Sequence, residues 1–177
     1  RILSEKHSVR VISFVESDEE REMLRSLNGI CESVTAVRRV PDFRPHWFSV
    51  LPFLVREFST PEMYQAVESE FQRRKVDVVQ CEYLQMAQFY RRGAVNVLAL
   101  PETLSANAHE AFLRAVDPIE KLRAYYRWMS VLRYEVLMSR KFDRVVTMTE
   151  SDAAYLRSYS SNAHITAIPI GIDPDEF

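Results

Sequence analysis

Glycine is scarce in this chain: Gly29, Gly93 and Gly171 are the only three among 177 residues, where average usage of about 7% gives roughly a dozen. Three isolated glycines cannot build a GxGxxG fingerprint or a P-loop, which excludes a glycine-rich phosphate cradle within these residues. Cysteine is scarcer still. Cys31 and Cys81 stand alone in mostly apolar surroundings, so neither a disulfide framework nor a CxxC redox or zinc site is supported, and a reducing cytoplasm is the simpler reading. The four histidines, His7, His46, His109 and His164, form no metal-ligand spacing. There is no GxSxG elbow, no Cys and His paired by motif and no acidic cluster suited to Mg²⁺, which disfavours nucleophilic and metal-dependent chemistry. No apolar run approaches the ~20 residues that span a bilayer, and the opening "RILSEKHSVR" has no signal-peptide core. An excess of charge is also lacking. With 23 basic against 25 acidic residues the net charge is -2, which gives no reason to expect nucleic acid as a partner.

What is present is core material. The chain is 47% apolar and long enough for one globular domain. Six short β-branched segments stand out: Val9 to Val15, Val34 to Val40, Val76 to Cys81, Val95 to Leu100, Val145 to Thr149 and Ile165 to Ile168. Between them lie helical patterns with recognisable starts. Ser17-Asp18-Glu19-Glu20 reads as a capping box in which Glu20 reaches back. Thr60-Pro61 and Asp117-Pro118 place a cap before a proline at the first helical position, and Thr149-Glu150-Ser151-Asp152 opens a helix at a strand end. Strands alternating with helices predict an α/β fold with a doubly wound, mostly parallel sheet covered by helices on both faces. In such sheets ligands bind outside the carboxyl ends of the strands. That rule selects Glu16 and Ser17, Glu82 and Tyr83, Pro101 to Ser105, Thr149 to Ser151, and Gly171 to Asp173.

Two readings stand open for each of the conspicuous stretches. In "VDVVQCEYLQMAQFY", Glu82 and Tyr83 either contact a ligand, the carboxylate accepting from sugar hydroxyls and the ring covering a sugar face, or Glu82 sits in a helix's first turn and Tyr83 packs in the core. In "NVLALPETLSANAHEAF", Glu102, Thr103, Ser105 and Asn107 either position an acceptor hydroxyl or form an ordinary loop with Ser105 capping the next helix. The stretch "DPIEKLRAYYRWMSVLRYEVLMSRKFDR" places Leu122, Tyr125, Met129, Leu132 and Val136 on one stripe and is rich in Lys and Arg elsewhere. It is a core helix with a solvated face, or a basic amphipathic helix for anionic lipid or a phosphorylated ligand. The stretch "FRPHWFSVLPFLVREF" is a lid for a lipid or aglycone, or a hydrophobic helix against the sheet.

The order of these motifs resembles that of family 4 glycosyltransferases of the GT-B fold. "KFDRVVTMTESDAAYLRSY" followed by "HITAIPIGIDPDEF" is similar to the junction between that family's two domains, where a strand ends in a Ser-Glu pair and the next runs into a pattern like I-P-N-G-V-D. Thr149-Glu150 stands in the Ser-Glu place, and Ile168 to Asp173 in the other. "HSVRVISFVES", "VDVVQCEYLQMAQF" and "LRYEVLMSRKFDRVV" fall in order, so the resemblance covers nearly the whole chain. It implies that residues 1–177 are one Rossmann-like N-terminal, acceptor-side domain of a retaining hexosyltransferase-type enzyme. The family's first strand and glycine-rich loop would precede Arg1, and a donor domain with a glutamate pair would follow Phe177.

The resemblance further implies no cofactor and usually no metal, a nucleotide sugar as donor, and a saccharide or lipid-linked acceptor in polysaccharide synthesis. It also fits a cytoplasmic location, with the 117–144 helix free to touch the inner face of a membrane. The family's functional histidine falls at Pro101, whose side chain can neither accept nor shuttle a proton, leaving its acidic partner Glu102 as the candidate catalytic residue. Glu16, Glu82, Tyr83, Thr103, Thr149, Glu150 and Ser151 are the candidate acceptor contacts, and Gly171 and Asp173 would line the interdomain cleft. The alternatives are a non-catalytic sugar- or membrane-binding module, and a nucleotide-sugar epimerase of the same fold.

Overall fold

The computed structural model describes residues 2–39 and 51–171. They form two compact units, one built from Arg1–Pro45 and Glu57–Lys75, the other from His46–Arg56 and Val76–Phe177.

In the first unit, β1 (Arg10–Val15) pairs in parallel with β2 (Ser33–Arg38), Arg10 opposite Ser33 and Val15 opposite Arg38. Helix α1 (Asp18–Arg25) starts at Ser17, whose hydroxyl accepts from the Glu20 amide at 3.2 Å. The reciprocal half of the expected capping box is displaced by one residue: Glu20 accepts from the Glu16 amide at 2.6 Å. Helix α3 (Pro61–Arg73) starts as expected from Thr60, which accepts from the Met63 amide at 3.3 Å, with Pro61 in the first turn. Met63 and Val67 are buried on this helix, and Val15 and Val37 on the strands. Glu70 joins that buried set because Arg10 reaches it with a 3.1 Å ion pair and also donates to the Glu70 and Lys75 carbonyl oxygens.

The second unit holds a four-stranded parallel sheet in the order β3-β4-β5-β6, formed by Val78–Glu82, Val95–Leu100, Arg144–Thr147 and Ile165–Ala167. Its core gathers Leu98, Leu100 and Val145 from the strands, Leu84 and Ala87 from the stretch after β3, and Leu156 from α6 (Glu150–Tyr159). Val55 of the short helix α2 (Phe53–Arg56) is fully buried in the same core, while Phe53 is exposed. That partly answers for the aromatic-rich stretch: its end is a helix docked on the core, and its residues 43–50 lie outside the described residues. Each of the six β-branched segments contains a strand and every ladder is parallel, as α/β alternation requires. The strands lie in two sheets, one in each unit.

Two elements depart from the expected pattern. Leu84–Phe89 is a 3₁₀ stretch rather than an α-helix. Leu84 and Ala87, three apart, are both buried, the threefold period of the tighter helix. The long helix α5 (Pro118–Ser139), capped by Asp117 through the Ile119 and Glu120 amides at 2.9 Å, does not bury the expected stripe. Leu132 is buried, but Leu122 and Tyr125 are exposed. The buried face is confined to the C-terminal half, Val131, Leu132, Tyr134, Glu135 and Ser139. Packing against α4 (Leu104–Arg114) leaves Leu113, Val116, Ile119 and Leu122 in solvent.

Candidate functional site at the carboxyl end of the four-stranded sheet

The register of the second unit brings the strand ends together: Glu82 lies opposite Ala99, Leu100 opposite Thr147, and Thr147 opposite Ala167. The residues that follow these positions leave the sheet side by side.

At the end of β3, Glu82 is exposed and its Oε1 accepts from Gln80 Nε2 at 2.5 Å, the two side chains sharing one face as alternate residues must. Tyr83 comes next, with φ 69° and ψ 152°, the only non-glycine residue at positive φ among the described residues. For a residue with a Cβ that region costs about 1–3 kcal/mol and persists only where the surroundings impose it. Here they do. The Tyr83 amide donates to the Ala99 carbonyl at 2.8 Å and its own carbonyl accepts from the Met86 amide at 3.1 Å, while Leu84 and Ala87 anchor the following turn in the core. The chain turns sharply and the ring is left outside, 48% exposed. Tyr83 is thus neither a core residue nor in a helix, and Glu82 is the last residue of a strand rather than the first turn of a helix.

After β4, Glu102 is exposed and accepts from Asn107 Nδ2 at 3.0 Å. Thr103 is buried and its hydroxyl has no hydrogen-bond partner, so in this conformation it packs rather than faces solvent. Ser105 does not cap α4, since it already lies inside the helix. The cap is supplied from α5. Glu135, with no exposed surface, accepts from the Leu104 amide through Oε1 and from the Ser105 amide through Oε2, each at 3.2 Å, and also from the Ser105 hydroxyl. Burial pushes its carboxyl up to about 7, against the opposing effect of those three hydrogen bonds, and Asp152 adds to the rise.

After β5, Thr149 caps α6 by accepting from the Asp152 amide at 3.1 Å and donates to Asp152 Oδ2 at 2.5 Å. Glu150 accepts from Arg157 at 2.6 Å, and Ser151 is exposed in the helix's first turn. After β6 the Ile168 amide still donates to the Thr147 carbonyl at 2.8 Å, and exposed Gly171 follows in open space. Asp173 lies outside the described residues. Glu16 belongs to the other unit, at the end of β1, where Arg39 binds its Oε1 at 2.9 and 2.5 Å.

Chemically, this edge offers exposed carboxylates, a hydroxyl and an aromatic face, the set that recognises polyhydroxylated ligands. The neighbouring Cys81 thiol is no nucleophile at neutral pH, since burial, helped by Glu82, pushes it up to about 12. No group of three or more His, Cys, Asp or Glu side chains among the described residues is arranged to hold a metal ion. Glu135 was not selected from the sequence, where it counts among the charged residues of a basic helix. The signal was its spacing, three residues after Leu132 and four after Val131, on the buried face itself.

A family model described as Glycosyltransferase Family 4 matches residues 1–176. Among solved structures, the chain is similar to a sucrose-phosphate synthase from Thermosynechococcus elongatus, at 13% identity and a TM-score of 0.50, covering 93% of this chain and 91% of that one. At that identity the likeness speaks for the α/β Rossmann-like fold. No curated protein matches the sequence. A parallel α/β architecture, the order of the strand-end motifs and a match over nearly the full length agree, and the chain belongs to Glycosyltransferase Family 4.

Proposed function

We propose that this chain is the acceptor-side domain of a retaining glycosyltransferase that moves a sugar from a nucleotide sugar to a saccharide or lipid-linked acceptor. The acceptor sits at the carboxyl end of the four-stranded sheet. The observation that carries this reading is Tyr83, a strained residue that follows the last residue of β3 and holds its ring in solvent. Strain of this kind collects at ligand sites because stability alone would remove it. Tyr83 covers one face of the acceptor, and Glu82 and Glu102 accept from its hydroxyls and orient the one that attacks. Thr149, Glu150 and Ser151 bound the site on the β5 side, and Gly171 lets the chain pass close to it. The donor is a substrate held mainly by a second domain, where groups facing the leaving phosphate supply most of the transition-state stabilisation.

In the full-length enzyme, Glu102→Gln is expected to lower kcat/KM on the order of 10²-fold, the scale of a positioned acid–base or orienting carboxylate. Wild-type kcat/KM in that variant would remove Glu102 from the site.

A second reading has its own observation. Leu113, Val116, Ile119 and Leu122 are exposed around the α4–α5 turn, next to Lys121 and Arg123, a composition suited to an anionic membrane surface. No helix among the described residues is long and apolar enough to cross a membrane. Co-sedimentation with phosphatidylserine vesicles, lost at high salt and in Leu122→Glu, is the expected result if the enzyme works at a membrane. Absence of vesicle binding at low salt ends this reading.

A further inference from the structure

We propose that Glu135 is a positioning residue for the acceptor site: by capping α4 from the neighbouring helix, it fixes the direction in which Glu102 leaves β4. The inference rests on the reading of Glu102 as the carboxylate that orients the acceptor. A helix begins with amides that lack internal partners, and an N-cap side chain normally serves them. At α4 the residue in that position, Thr103, makes no side-chain cap bond, and its hydroxyl is buried without a partner. The amides of Leu104 and Ser105 are taken instead by a carboxylate 31 and 30 residues further along the chain. Only Thr103 separates Glu102 from the first capped amide. The other hold on Glu102, its bond from Asn107, also comes from α4. Both restraints on the candidate catalytic carboxylate therefore pass through a helix start whose anchor is Glu135.

The anchor depends on charge. An ionised carboxylate accepts through both oxygens, but a protonated one turns one oxygen into a donor. One of the three contacts to Leu104 and Ser105 must then reverse or break. The groups facing Glu135 keep this proton in play. From α4 comes the neutral Ser105 hydroxyl, and from α6 come the Asp152 carboxylate, which opposes ionisation, and the Tyr155 phenol. Tyr155 accepts from Trp128 Nε1 at 3.3 Å, and Trp128 stacks on His109 of α4 at 4.1 Å between ring centroids. Neither Lys nor Arg pairs with Glu135 among the described residues. A buried carboxyl without a cationic partner titrates late, and when it does the capped turn must respond.

The test is a carboxyl titration by NMR in the intact protein, with glutamate labelled with ¹³C at Cδ and the two signals identified by their loss in Glu135→Gln and Glu102→Gln. The Glu135 signal is expected to titrate near neutrality, and the Glu102 signal to shift with the same midpoint. The Leu104 and Ser105 amides should lose protection from hydrogen exchange below that midpoint. In Glu135→Gln the shared inflection at Glu102 should vanish. Should that variant not fold, Ser105→Ala serves in its place. It removes one hydrogen bond to the charged form, so both midpoints should move upward together. A Glu102 signal blind to the Glu135 midpoint overturns the inference, as does an inflection that survives in Glu135→Gln or fails to follow the Ser105→Ala shift. No substrate is needed, so failure of the functional reading is seen separately, as wild-type kcat/KM in Glu102→Gln with the shared inflection intact.

Discussion

Relative to Glu135→Gln, the wild-type protein is expected to lose on the order of 3 kcal/mol of folding stability as pH rises from about 5 to about 8. The cause is burial first: Glu135 has no exposed surface, and its carboxyl is pushed up to about 7. In the unfolded chain the same group titrates as an ordinary glutamate. A carboxyl whose folded value lies above its unfolded one contributes stability that is complete below the unfolded value. That contribution disappears as pH climbs through the folded one, because ionising a desolvated group costs more in the protein than in water. Each pH unit between the two titrations is worth about 1.4 kcal/mol, which sets the magnitude. Gln does not titrate, so the difference between the two proteins isolates this residue from every other carboxylate. Urea midpoints measured for both across the range provide the check. A wild-type curve parallel to that of the variant would show that Glu135 titrates normally. The Gln variant also carries a pH-independent cost of its own, on which that slope is superimposed. Its amide offers one acceptor oxygen where two backbone amides and a hydroxyl need partners, and an orphaned buried donor costs about 1–3 kcal/mol.

The second large effect lies in the other unit. Arg10→Ala is expected to cost about 3 kcal/mol, the low end of the range for breaking a buried ion pair. The Glu70 carboxylate is only 9% exposed and Arg10 16%. Removing Arg10 strips Glu70 of its buried partner and also frees two carbonyl acceptors. The low end applies because Arg73 still reaches the other Glu70 oxygen at 3.1 Å. The diagnostic partner is Arg10→Met combined with Glu70→Leu. Two apolar side chains of similar volume need no hydrogen bonds, so the double variant should recover most of the loss, as buried pairs replaced wholesale commonly do. Arg73, 69% exposed, loses little when its partner goes. Chemical denaturation of the wild type, Arg10→Ala and the double variant decides it. A double variant as unstable as the single one would mean that the arginine stem, not the charge pair, holds the unit together.

Why some of this was legible in the residues and some was not follows from how far each signal reaches along the chain. Strands such as Val95 to Leu100 declare themselves because burial on both faces demands an unbroken β-branched or aliphatic run. Caps such as Ser17, Thr60, Asp117 and Thr149 declare themselves because the bond closes within three residues. The carboxyl-end rule then chose Glu82, Tyr83, Glu102 and Thr149 without any knowledge of contacts. The α5 stripe was misread because periodicity finds an apolar face but cannot say what stands opposite it. Only the C-terminal half meets the core. Glu135 was missed for the same reason in reverse: a charge on the buried face looks like a break in the pattern until its partners, 30 and 31 residues earlier, are known. Tyr83 could be placed at a strand end, but its backbone conformation could not, because nothing in a tyrosine announces positive φ.

That tyrosine sets selection for robustness against selection for use. In a chain with three glycines, the position where glycine is the economical residue carries a large aromatic. Consensus design, thermal screening or inverse folding, asked only for a more durable molecule, would each be drawn to remove it. A lineage that keeps a bulky ring there keeps backbone strain that glycine at the same position would relieve. If Tyr83 serves the acceptor as proposed, relatives with relaxed constraint on their acceptor should be the first to drift to glycine at position 83, the residue that its φ of 69° and ψ of 152° favour, a mark readable in sequences without any structure in hand.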